Sequence, residues 1–166
     1  MCIILYRAMK INNFWKLIIS VLVCLSAGFI GSFFTTPSIP TWYATLNKPS
    51  FNPPNWLFAP AWTTLFILMG IAVFLIWRKG LKKKAVKNAL IIFLLQLVFN
   101  TLWSFLFFKF HSPFWALVDI GVLWSLISLS LIKFWKINKA AGILLIPYLL
   151  WVSFASFLNY TIYRLN

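Results

Sequence analysis

Few residues in this chain could act as acid, base, nucleophile or metal ligand. One histidine (His111), one acid (Asp119) and two cysteines (Cys2 and Cys24) are spread over 166 residues. A metal centre needs three or four ligands, and a catalytic triad needs a base beside its nucleophile, so this set supplies neither. Cys24 lies inside an apolar run and makes no ligand spacing with Cys2, which argues against zinc and against a disulfide. What the chain holds in quantity is aromatic surface: 10 Trp, 18 Phe and 5 Tyr. Such rings bind flat apolar molecules by stacking and edge contact. That is the chemistry of recognition rather than of hydrolysis.

The scaffold that carries these rings follows from composition. The chain is 63% hydrophobic and 10% charged, with a mean hydropathy of +0.92. A soluble domain is nearer half apolar and a quarter charged, so the fold class is a polytopic membrane protein. Hydrocarbon tolerates only backbones that satisfy their own hydrogen bonds, and the long apolar runs lack the alternation of a barrel strand. The expectation is an all-α membrane protein, a five-transmembrane-helix bundle, occupying residues 14–166 behind an N-terminal extension of residues 1–13. The spans run from Phe14 to Phe34, Trp56 to Trp77, Asn88 to Phe108, Phe114 to Phe134 and Ala140 to Tyr163, each about the 20 residues that a bilayer requires. The Pro-rich stretch from Thr35 to Asn55 is a long first loop. Ser112-Pro113 reads as an N-cap followed by proline at the first helical position, and Pro147 predicts a bend in the fifth span.

Charge tests this count independently. Fifteen Lys and Arg stand against the single acid. Twelve bases fall on the N-terminus, the second loop and the fourth loop, whereas only Lys48, Lys109 and Arg164 fall on the opposite side. The positive-inside rule then puts the N-terminus in the cytoplasm and the C-terminus outside. The expected location is the inner rather than the outer membrane. The bases sit between spans, where they meet lipid headgroups, so the lipid bilayer is the partner and nucleic acid is not. Trp15, Trp56, Trp77, Trp115 and Trp135 lie near span ends, as interface anchors do.

Depth places the other candidates. At the helical rise, Trp62, Asn100, Trp103, Asp119, Trp151 and Ala155 lie about 8–18 Å below the outer end of their spans. Pro147, Trp151 and Ala155 are spaced i, i+4, i+8 on one face, and the first loop with Trp42, Tyr43 and Phe51 could cap the space between the helices. This describes a pocket for a flat apolar ligand. An ionised Asp in hydrocarbon is costly, so Asp119 is expected inside the bundle, either accepting bonds from Asn100, Gln96 or a backbone donor, or meeting the ligand.

Trp42-Tyr43 through Lys48-Pro49, Asn52-Pro53-Pro54, Trp62 to Met69-Gly70, Asn100 with Trp103-Ser104, Ala116 to Trp124, and Pro147-Tyr148 through Trp151, Phe154-Ala155 and Leu158-Asn159 together resemble the tryptophan-rich sensory protein, or translocator protein, family (TspO/MBR). The likeness runs from about Phe14 to Asn166. It implies five packed helices, a pocket under the first loop on the side of the C-terminus, and binding of porphyrins, with benzodiazepine-type ligands and sterols in some members. The matching ligand-binding positions are Tyr43, Trp62, Phe66, Asn100, Trp103, Asp119, Pro147, Trp151 and Ala155. Phe51 stands where the family commonly has Trp, and Phe66 where Tyr is common. For a homodimer, the third span lacks the small-residue motif of some members, and Ala27 with Gly31 on the first span is the substitute.

Two functional readings stand at this point. One is a membrane protein that binds protoporphyrin IX or a related tetrapyrrole as sensor or translocator, with no resident cofactor or metal. The other is an enzyme in which Trp62 and Trp151 are the catalytic residues of a light-dependent oxidation of the bound porphyrin.

Overall fold

The computed structural model describes residues 12–166, so most of the expected extension over residues 1–13 lies outside the described residues. Six α-helices follow in order: α1 (Asn13–Ser38), the single turn α2 (Trp42–Thr45), α3 (Asn55–Trp77), α4 (Lys84–Ser104), α5 (Pro113–Ile137) and α6 (Lys139–Leu165). Five of them are long and apolar enough to cross a bilayer, α4 together with the turn that continues it to Lys109. The chain is therefore an integral, multi-pass, all-α membrane protein.

Local chemistry sets the helix ends. Asn12, Ser112 and Asn138 each accept a backbone N–H with the side chain at the start of α1, α5 and α6. Pro113 follows Ser112 at the first helical position, as its sequence predicts. The first loop begins later than composition suggests, because α1 continues through Thr35, Thr36 and Pro37. Proline near a C-terminal end forfeits one helical donor only. The Ser38 hydroxyl fastens this end by donating to the Phe108 carbonyl at 2.8 Å. At the other loop boundary α4 starts at Lys84, earlier than Asn88, and α6 runs through Pro147 as one helix.

The last turn of α4 widens into a π-helical segment, Phe105–Lys109, in which the Phe110 N–H donates to the Phe105 carbonyl at 3.1 Å. Single π turns of this kind recur at functional sites. Here the segment carries Phe107 and Phe108, both buried.

The spanning helices form a ring in the order α1, α3, α6, α5, α4, closing back on α1. This is not chain order: α3 and α4 are consecutive, yet α4 lies beside α1 and α5. Two glycines let α3 and α1 approach. A Cβ on Gly70 would stand 2.6 Å from the Val21 Cα, and one on Gly28 would overlap the Phe66 ring. Small residues at such points are the ordinary means of close packing between membrane helices. The lipid-exposed surface is apolar, with Leu22, Phe29, Ile91, Val98 and Leu150 among the exposed side chains. Trp15, Trp56, Trp115 and Trp135 are exposed near helix ends, and Trp77 is half-buried.

Ala27 and Gly31 do not form an outward face. Both are buried on the α4 side of α1, where the Thr101 hydroxyl donates to the Ala27 carbonyl and a Cβ on Gly31 would meet Ser104 at 3.1 Å. The weak substitute that this pair offered for a dimer motif is therefore engaged within one chain.

The glycine contact makes a stability prediction. Gly70→Leu should destabilise the bundle by about 1–3 kcal/mol through overpacking against α1. Gly121→Leu, on an exposed face with nothing within 4 Å of its Cβ position, should stay within about 0.5 kcal/mol of the parent. Thermal unfolding in detergent, followed by circular dichroism, measures both.

Candidate functional site

Between α1, α3, α4 and α6, at the end closed by α2, lies a cavity of about 510 Å³. Trp62 enters it from α3, Trp103 from α4 and Trp151 from α6. Each indole is held by a neighbouring ring. Trp62 stacks on Phe66 at 5.6 Å and meets Tyr148 edge-on at 6.2 Å. Trp103 stacks on Phe107 at 5.1 Å, and Trp151 sits edge-on to Phe58 at 6.3 Å. Contacts of this geometry are worth about 0.5–1.5 kcal/mol each beyond area burial. They fix ring planes that would otherwise rotate.

The cap over the cavity is strapped at several points. The Tyr43 hydroxyl donates to Asn52 Oδ1 at 2.8 Å, and the Lys48 ammonium lies 4.8 Å from the centre of the Tyr43 ring. Burial pushes the Tyr43 phenol above its ordinary range, with the Asn52 bond acting the other way. Its O–H therefore remains a donor throughout the neutral pH range. Asn47 and the C-terminal residue Asn166 bond each other twice, at 2.9 and 3.1 Å, which ties the loop to α6. Trp42 stacks on His111 at 4.4 Å, and His111 takes a φ of +52° in the turn after the π segment.

Below the cavity a polar hub joins α4 to α6. The Tyr148 hydroxyl accepts from Asn100 Nδ2 at 3.0 Å and donates to Gln96 Oε1 at 2.8 Å. Beside it, Trp103 Nε1 donates to Asn159 Oδ1 at 3.0 Å, and Asn159 Nδ2 donates to the Pro113 carbonyl at 2.9 Å. In a medium without water these bonds replace partners that the groups would otherwise lack.

Seven of the nine sequence-predicted ligand positions line this cavity: Tyr43, Trp62, Phe66, Asn100, Trp103, Trp151 and Ala155. Pro147 does not, and is exposed on the outside of α6. Asp119 does not either, because α5 contributes no wall. Its carboxylate is buried with neither oxygen hydrogen-bonded, so the expected bonds from Asn100 or Gln96 are corrected as well. The Asn100 amide donates to Tyr148 instead, and the Gln96 amide nitrogen donates to Met69 Sδ at 4.0 Å. Phe51 also lies off the cavity, stacked on Phe157 at 5.3 Å.

Residues that sequence reasoning left out are Tyr148 and the phenylalanines Phe58, Phe107, Phe108 and Phe154, the latter four on the wall. Tyr148 had a signal. Gln96 and Asn100 are one helical turn apart at mid-span, and two intramembrane amides on one face require a polar partner on another helix.

Comparison with known proteins adds sequence relatives. Residues 20–164 match the TspO/MBR family. A tryptophan-rich protein TspO of Chlorobaculum tepidum is 49% identical over 144 residues, 87% of this chain and 91% of that protein. The protein of the same description from Archaeoglobus fulgidus is 47% identical over 154 residues, 93% of this chain and 99% of its own. The translocator protein of Bos taurus is 37% identical over 141 residues, covering 84% and 83%.

The two mid-membrane polar arrangements should respond oppositely to substitution. Tyr148→Phe leaves the Asn100 donor and the Gln96 acceptor without their partner and should cost about 1–3 kcal/mol. Asp119→Leu removes a buried group that has no bond to lose, so stability should hold or rise. Melting temperatures of the two variants in the same detergent compare them directly.

Proposed function

The chain belongs to the TspO/MBR family, and from that premise we propose that it binds a planar tetrapyrrole, protoporphyrin IX or a close relative, in the cavity beneath α2 and acts as a membrane sensor or translocator for it. The observation that carries this reading is the wall itself: a cavity of about 510 Å³ into which three indoles project from three different helices. The volume falls within the range of small-molecule sites, and the lining is mostly apolar with a few amide and hydroxyl groups, the usual composition of such sites. Indoles on separate helices give a flat ring several faces to lie against. Asn100, Ser104 and Asn159 supply polar groups along one side.

A second reading is favoured by one specific feature. Trp62 and Trp151 both line the cavity, so a photosensitising porphyrin there would lie against two oxidisable side chains, with dioxygen as the oxidant. We propose further that the end bearing Arg78, Lys79, Lys82, Lys83 and Lys84 faces the cytoplasm of an inner membrane and that the α2 end faces outward, because the positive-inside rule assigns the base-rich loops.

Purified protein titrated with protoporphyrin IX, in the dark and under illumination, tests the first two statements. Trp62→Phe or Trp151→Phe should weaken binding about two- to tenfold, since a smaller ring still stacks. Binding and any bleaching that fall in parallel fit a receptor or carrier. Retained binding with lost bleaching fits the enzyme, and absence of binding to the parent protein removes both. For orientation, Lys82→Cys in intact cells should resist a membrane-impermeant thiol reagent while Arg164→Cys reacts. The reverse pattern inverts the topology.

A further inference from the structure

The cavity wall is not closed on every side. Of its lining residues, those that are exposed are Phe29, Ser32 and Thr36 on α1 and Asn55, Ala59 and Thr63 on α3. Both sets follow helical spacing, i, i+3, i+7 and i, i+4, i+8, so each is one stripe on its helix. The antiparallel register fixed by Gly70 at Val21 and Gly28 at Phe66 brings the two stripes opposite each other. Toward the α2 end, beyond these two close contacts, the cavity-lining side chains of both helices are exposed, so the line between α1 and α3 is a crevice where the cavity borders lipid. Among the described residues no side-chain hydrogen bond joins α1 to α3. The cap above is different, strapped by Tyr43 to Asn52 and by Asn47 to Asn166.

We propose that the crevice between α1 and α3 is a lateral portal through which a planar ligand dissolved in the leaflet on the α2 side enters and leaves the cavity, with Ser32, Thr36, Ala59 and Thr63 setting its width. The inference deepens the tetrapyrrole reading and depends on it only for the identity of the ligand. The rim chemistry suits such passage. Ser32 and Thr63 return their hydroxyl hydrogens to their own helices, at 2.7 Å to the Phe29 carbonyl and 2.8 Å to the Ala59 carbonyl, so an apolar ring crosses without breaking a bond between helices. The hydroxyl oxygens and Asn55 near the helix ends still offer polar contact to a group trailing at headgroup depth. Nothing equivalent lies on α5, whose outer face is separated from the cavity by its own packing against α4 and α6.

The test uses the full chain in phosphatidylcholine vesicles with protoporphyrin IX as probe and stopped-flow fluorescence as readout. Ser32→Phe and Ala59→Phe, at exposed positions with room for a ring, should slow association and dissociation together by about tenfold or more, with Kd moving far less than either rate. Val122→Phe on the lipid face of α5 should leave both rates unchanged. Rates unaffected by the portal variants overturn the proposal. So does acceleration by Asn166→Ala, which would open the cap instead. A second arm needs no porphyrin: vesicles with brominated acyl chains should quench Trp62, read as parent minus Trp62→Phe, and Ala59→Phe should relieve that quenching. If the parent fails to bind protoporphyrin, the tetrapyrrole reading falls and the quenching arm decides the portal, with an unquenched Trp62 overturning it.

Discussion

The close approach of α3 to α1 is the contact on which the rest of the architecture depends. With no hydrophobic force between helices in lipid, association rests on packing and on interhelical polar bonds. Gly70 lets the α3 backbone lie directly against Val21, and Gly28 admits the Phe66 ring. Beyond these contacts, toward α2, both helices turn cavity-lining side chains toward a common space. That space, lined on its remaining sides by α4 and α6, is the cavity.

Holding such a space open in a bundle requires walls that do not collapse, and the wall residues are secured by their neighbours. Trp62 against Phe66 and Trp103 against Phe107 are stacked pairs, and Trp103 is further fixed by its bond to Asn159. Tyr148 of α6 links Gln96 and Asn100 of α4 across the inside of the ring, so the floor is a satisfied polar network rather than a loose apolar one. The π turn at Phe105–Lys109 contributes by carrying two more rings to the wall. The ring order α1, α3, α6, α5, α4 leaves α5 on the far side, as the outer support of α4 and α6. Asp119 belongs to that support and not to the wall.

Much of this is legible in the sequence alone. Five spans, their approximate ends, the Ser112-Pro113 start and seven wall residues follow from apolar run length, cap chemistry, depth and family likeness. The two misplaced residues show the limit. Along α6, steps of four residues advance the face by about 40° each, so Pro147 and Ala155 differ by about 80°. Trp151 and Ala155 turn into the cavity while Pro147 turns to lipid. Asp119 matched Asn100 in depth, but depth says nothing about which side of a ring a helix occupies. The early end assigned to α1 fails for a related reason, since the Phe108 carbonyl that receives Ser38 is 70 residues away in sequence.

The solvent, the number of spans and the aromatic character of the cavity wall are written in the chain, because hydropathy, run length and aromatic content act residue by residue against a bilayer of fixed thickness. Tertiary structure alone decided the neighbours: that α4 sits beside α1, that Tyr148 rather than Asp119 receives Asn100, and that the cavity is flanked by the exposed stripes of α1 and α3. A helix carries its faces in its own sequence. Which helix each face meets is fixed by the packing of all five at once, through close contacts such as Gly70 on Val21 that no single span encodes.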